Sequence, residues 1–200
     1  MSSRMQQRRA AKAAKRKKLL AERRRTDGPA ASSTAAQVQH AAAAPIYRCL
    51  LQGQVFEIGT GIVMLARGTP RDGFVVAGFL LDIYCLGVKN AFLHTSLDES
   101  DVRDMIAAVE QAAPLQPVEP GYARKLLHEA VAYARSIGIQ PHKDFAAGEV
   151  LFGDVVADAG NVTFQFGFEG KPLYTGAGRY GGTNAALARG LAQNRRRGRV

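Results

Sequence analysis

GIVMLARGTPRDGFVVAGFLLDIYCLGV, residues 61–88, decides the fold. Two runs rich in Val, Ile, Leu and Phe flank Gly68-Thr69-Pro70-Arg71-Asp72-Gly73, a spacer made of the residues that tight turns require. So short a connection joins antiparallel neighbours, because a parallel pair needs a crossover of roughly a dozen residues or more. The stretch therefore predicts an antiparallel hairpin with arms Gly61–Arg67 and Gly73–Val88. The second arm exceeds one regular strand, and Gly78 marks the expected bulge or bend.

Working outward, Ile46–Leu51 alternates in the manner of a first strand. Downstream, Ser96-Leu97-Asp98-Glu99 fits a capping box opening a helix of about 98–112, with Asp101 and Asp104 in its first turns. Val102, Met105, Ile106 and Val109 then form a core stripe at helical spacing. Pro114, Pro117 and Pro120 interrupt the chain. Glu119–Ile137 carries the strongest helical pattern, with Leu126, Leu127, Ala130, Val131, Ala134 and Ile137 on one side and Gly138 where a C-terminal cap belongs. A shorter helix is expected between Pro141 and Leu151, and a second hairpin from Val162–Phe166 and Lys171–Thr175 around Gly167–Gly170. Strands and helices are segregated in this order. The class is α+β, with an antiparallel sheet packed on two or three helices in a single domain over residues 46–176. No strand leads into a glycine-rich phosphate loop and no internal repeat is visible, so no cofactor is expected.

The charge lies elsewhere. The chain has 27 Lys and Arg against 17 Asp and Glu, a net of +10. Eleven of the cations fall in residues 1–45 against two acids, and five fall in the last twelve residues against none. Residues 46–188 are left mildly acidic. Residues 1–45 read as a disordered basic arm and linker and residues 177–200 as a flexible basic tail, both outside the α+β domain. Within the arm, residues 4–25 are strong helix formers whose mutual repulsion opposes a helix until phosphates neutralise it. The N-terminus lacks the apolar core of a secretory signal, and no run is long enough to span a bilayer. An organelle transit peptide is disfavoured because few bulky apolar residues line one face, Leu19 and Leu20 being the only such pair. Two cysteines, Cys49 and Cys85, make no disulfide framework, and a cytoplasmic location with no membrane contact is expected.

Two clusters within the domain are candidates for chemistry. Asp82 stands in the most apolar stretch, with Cys85, Lys89 and Asn90 following; a carboxylate there needs a partner or a shifted pKa. Its plain reading is an Asp that caps a turn. His142 and Asp144 follow Pro141, an imidazole and carboxylate suited to acid–base work or simply to satisfying their own loop. The catalytic candidates are thus Asp82, His142, Asp144 and Lys89, with Lys171 as a further anion-holding group. Cys85 inside an apolar strand reads as an inert thiol, and His128 and His94 are weaker candidates. No ligand spacing announces a metal. The tails have a simpler chemistry. Arg8, Arg9, Lys12, Lys15, Arg16, Lys17, Lys18, Arg23, Arg24 and Arg25, with Arg195, Arg196, Arg197 and Arg199, suit phosphate contact, where each neutralised phosphate releases a counterion.

Three segments carry a resemblance: DIYCLGVKN (82–90), GIQPHKD (138–144) and FGFEGKPLY (166–174). They resemble a family of uncharacterised bacterial proteins with an Asp-x-Tyr-Cys-Leu-Gly-Val-Lys-Asp strand end, a Gly-x-x-Pro-His-x-Asp turn and a Phe-Gly-x-x-Gly-Lys-Pro hairpin. Some of those proteins carry a SEC-C tail that is absent here. Asn90 stands where that pattern has Asp. The resemblance implies one domain and no particular substrate.

Three functions are expected from these features. The first is a non-enzymatic nucleic-acid-associated protein, RNA- or ribosome-linked rather than a reader of DNA, anchored by its tails while its acidic domain docks a protein or structured RNA. The second is a hydrolase using Asp82, His142 and Asp144. The third is a protein-interaction or regulatory module.

Overall fold

A computed structural model describes residues 33–174. In chain order its elements are α1 (Thr34–Ala41), β1 (Ile46–Gln52), α2 (Val55–Ile58), β2 (Thr60–Thr69), β3 (Gly73–Asp82), β4 (Gly87–Leu97), α3 (Glu99–Glu110), β5 (Leu115–Pro117), α4 (Pro120–Ser136) and α5 (Phe145–Glu149), which runs into a 3₁₀ turn at Val150–Phe152. The strands form one sheet in the order β4-β3-β2-β1-β5, with every neighbouring pair antiparallel. The class is α+β.

The decisive hairpin forms as β2–β3, in register from Thr60 opposite Asp82 to Thr69 opposite Gly73. Its turn is held by the Thr69 hydroxyl, which donates to Asp72 at 2.7 Å and accepts from the Asp72 amide at 3.2 Å. Both faces of these strands are covered, which is why they read as unbroken apolar runs. One face presents Val63, Leu65, Val75, Ala77, Phe79 and Leu81 to Leu126, Leu127, Ala130 and Val131 of α4, to Val38 of α1 and to Leu151 and Phe152. The other presents Ile62, Met64, Ala66, Phe74 and Val76 to Val102, Met105, Ile106 and Val109 of α3.

The long second arm is two strands. β3 stops at Asp82, residues 83–86 turn, and β4 continues to Leu97 as an edge strand. Gly78 is not a bulge: it sits in regular register with Met64 and Phe92. A side chain there would collide with the Phe92 ring lying across the backbone. α3 is capped by Asp98 and Asp101 rather than by Ser96 and Glu99. The Asp98 carboxylate accepts from the Asp101 amide at 2.8 Å and the Asp101 carboxylate accepts from the Asp98 amide at 2.9 Å. At the end of α4 the Gly138 amide donates to Arg135 and the Ile139 amide to Ala134, the paired bonds that close a helix through a left-handed glycine. Ile139 is thereby brought back onto Ala134 and Ile137.

Two expected segments differ. Part of the stretch expected as linker is helical: α1 spans Thr34–Ala41, with Val38, Ala41 and Ala42 buried, so the folded part begins upstream of Pro45. Its Val38 and Ala41 join the buried cluster that the sheet forms with Leu151 and Phe152 of the 3₁₀ turn. The second hairpin is absent. Residues 162–174 pair only through a bridge between Phe168 and Lys171. The alternating Phe and Val of this segment pack as a loop against rings of other elements, and its backbone is satisfied at the β3–β4 turn. Among the described residues no helix is long and apolar enough to cross a membrane. The basic arm at 1–32 and the tail at 177–200 lie outside the described residues.

Candidate functional site

Asp82 closes β3 and is buried. Its Oδ1 accepts from the Tyr84 amide at 3.2 Å and from the Cys85 amide at 2.9 Å, which fixes the β3–β4 turn. Burial raises its pKa, outweighing the charge of Lys89 and the donors of the turn. Burial likewise lowers Lys89, with Asp82 opposing. Burial, aided by Asp82, pushes the Cys85 thiol up to about 11. Burial, aided by Glu119, pushes Cys49 up to about 12. Neither thiol supplies a thiolate at neutral pH.

A carboxyl raised in the fold gives stability that is complete below the ordinary aspartate value and is lost as pH rises through its folded value. Asp82→Asn keeps the acceptor and removes the charge, so its urea midpoint at neutral pH should equal or exceed that of the wild type. Asp82→Ala strands both amides and should lose about 1–3 kcal/mol. The same midpoints taken under mild acid should rise for the wild type relative to Asp82→Asn.

The two other segments singled out above arrive at this same turn. The His142 amide donates to the Val88 carbonyl at 2.9 Å, closing the outer side of edge strand β4 where it begins. From the opposite direction, the Gly167 amide donates to Ile83 at 2.9 Å and the Leu173 amide to Tyr84 at 3.0 Å. Backbone bonds unite the three, however, not a catalytic set of side chains. His142 Nδ1 stands 3.7 Å from Asp144 Oδ2 within its own loop. Among the described residues no hydrogen bond or ion pair joins either of them to Asp82, and Lys171 is exposed.

Beside the turn opens a cleft of about 490 Å³ that none of Asp82, Lys89, His142 or Asp144 lines. Its walls are aromatic: Phe56 follows β1 in α2, Tyr84 belongs to the β3–β4 turn, Tyr122 to α4, and Phe164 and Phe168 to the returning loop. Phe56 and Phe164 lie parallel with ring centres 6.0 Å apart, Tyr122 meets Phe164 edge-on at 5.0 Å, and Tyr84 meets Phe168 edge-on at 5.6 Å. Phe56 remains 40% exposed and Phe168 46%. The polar lining consists of Thr163, Gln165 and Glu169. Sequence reasoning missed this cleft, because its rings come from four separate elements. The one available signal was the density of Phe and Tyr between 164 and 174.

A polar knot on α4 was missed as well. Glu149 accepts from Arg124, whose Nη2 is 2.6 Å away, and stands 3.0 Å from His128 Nε2. Arg124 also donates to the carbonyls of Gly153 and Val155, fastening α4 to the chain after α5. Burial pushes Glu149 up, but hydrogen bonds from His128 and Arg124 outweigh it and hold the carboxyl below its ordinary value. Such a group contributes stability above the ordinary glutamate value that is lost as pH falls through the folded value. Glu149→Gln should therefore cost about 1–2 kcal/mol at neutral pH and flatten the acid side of the stability profile, read by chemical denaturation as a function of pH.

Among the described residues no three His, Cys, Asp or Glu side chains are grouped to hold a metal ion. The cationic residues of the two tails lie outside the described residues. Compared with protein-family models, curated proteins and solved structures, the chain finds no match.

Proposed function

We propose that this chain is a non-enzymatic nucleic-acid-associated accessory protein, RNA- or ribosome-linked and cytoplasmic, tethered by its basic ends while the folded part docks a partner. The observation that carries this reading is the separation of charge. Residues 33–174 hold ten Lys and Arg against fifteen Asp and Glu, a net of −5, whereas residues 1–25 alone hold eleven cations. Several cations of the folded part are already engaged: Arg67 with backbone carbonyls, Arg124 with Glu149, and Lys125 and Arg103 with glutamates one helical turn away. The folded part is thus net negative, and the excess of cations that phosphates call for lies in the sequence of the two ends.

The test is the salt dependence of RNA binding. For each phosphate that is no longer neutralised, the slope of log K against log salt falls by roughly 0.7–0.9. Deleting residues 1–25 should lower the slope by several units in fluorescence-anisotropy titrations. An unchanged slope rejects the tether.

A further inference from the structure

We infer that the aromatic cleft beside the β3–β4 turn is a stacking site for unpaired nucleobases, with the strand's phosphates left outside for the cationic sequence that follows. This rests on the nucleic-acid reading above and assigns the folded part its share of it. Three features support it.

The first is the lining. Stacking on Phe, Tyr or Trp is the sequence-tolerant way of holding single-stranded nucleic acid. Phe56 and Phe168 each keep nearly half of their surface open although other rings back them. An isolated exposed Phe needs no explanation, but two at one cleft, each braced by a second ring, form a rigid platform.

The second is the polar complement. Thr163, Gln165 and Glu169 offer both donors and acceptors toward base edges. Glu169 places a negative charge at the cleft, which repels a phosphate but accepts from a base N–H. The base, not the backbone, therefore belongs inside. Lys125, whose ammonium lies 5.9 Å from the Phe164 centre, donates to the Val162 carbonyl and so holds the returning loop against α4.

The third is where the described chain ends. Leu173 is bonded to Tyr84, a residue of the cleft wall, and Tyr174 is the last described residue. The next 26 residues contain six arginines and no acid, and they start at this rim.

The experiment uses the full chain and two probes, an oligouridine of about ten nucleotides and an RNA duplex of similar length. Phe56→Ala/Phe168→Ala should weaken oligouridine binding about 10- to 100-fold, leave duplex binding within about twofold, and leave the salt slope unchanged. The chain has no Trp, so its six tyrosines give the emission; the part of the oligouridine quenching that Tyr84→Phe/Tyr122→Phe removes reports on the cleft, and the Phe56→Ala/Phe168→Ala variant should lose that part. Phe56→Leu/Phe168→Leu keeps the apolar cover without the rings and should behave like the alanine variant, which separates stacking from folding. Equal oligouridine binding by wild type and variants, with the slope still dependent on residues 1–25, overturns the stacking site and spares the tether. If oligouridine is ignored and an arginine-bearing peptide quenches instead, the cleft serves a protein and the inference is wrong. Failure of the wild type to bind either RNA removes both readings together.

Discussion

Arg67→Met is expected to lose about 3–5 kcal/mol of folding stability, and to release α1 first. Arg67 is 4% exposed and points from β2 into the face beneath α1. Its Nη1 donates to the carbonyls of Ala42 at 2.5 Å and Ala44 at 2.8 Å, and its Nη2 to Phe152 at 2.9 Å. Asp154 is its nearest carboxylate, at 4.0 Å and fully exposed. Burial lowers the Arg67 pKa, with Asp154 opposing, yet guanidinium stays protonated under any ordinary condition. The charge is thus neutralised mainly by carbonyl dipoles, two of them just past the C-terminus of α1, where the helix dipole is negative. Met fills the volume but leaves three carbonyls without this donor. Lys has a single ammonium that cannot serve both directions, so Arg67→Lys should recover only part of the loss. Urea denaturation read by circular dichroism gives the size, and amide exchange should show residues 38–44 deprotected ahead of the sheet. A loss under about 1 kcal/mol would mean that water replaces the guanidinium.

The second large effect is expected at Gly87, which opens β4 opposite Asp82. Its φ is +65°, and a Cβ there would stand 2.6 Å from the Ala130 carbonyl and 2.8 Å from the Ala134 methyl of α4. A side chain must both adopt a left-handed backbone and displace the long helix. Gly87→Ala should therefore cost about 3–4 kcal/mol, of which the backbone conformation accounts for roughly 1–2. Gly160→Ala is the matched control, because its φ is +56° and nothing lies within 4 Å of the added methyl. It should cost only the conformational part, about 1 kcal/mol. Equal losses at the two positions would show that α4 yields without resistance, and the close approach of helix and turn would then be irrelevant to stability.

Gly87 also illustrates why the candidate site was legible only in part. The sequence around it, Asp82 to Asn90, stands out on its own, as do residues 138–144 and 166–174. That all three meet at one turn depends on the Val88, Ile83 and Tyr84 carbonyls facing outward from the end of the sheet, and this follows from the strand order. The plain reading of Asp82 as a turn-capping carboxylate agrees with its bonds to Tyr84 and Cys85. The aromatic cleft had no such local mark.

Local chemistry in the chain determined the hairpin through its turn residues, the two long helices through apolar spacing and their caps, and the division of charge between ends and body. Those features depend on neighbours a few residues away, so they can be read in order. Only tertiary structure decided that 89–97 would form an edge strand, that Leu115–Pro117 would add a fifth strand beside β1, and that a stretch of small residues would become α1. None of these segments specifies its form alone. Each gains it from a surface supplied by distant residues: the open side of β3, the free edge of β1, and the carbonyl-binding guanidinium of Arg67.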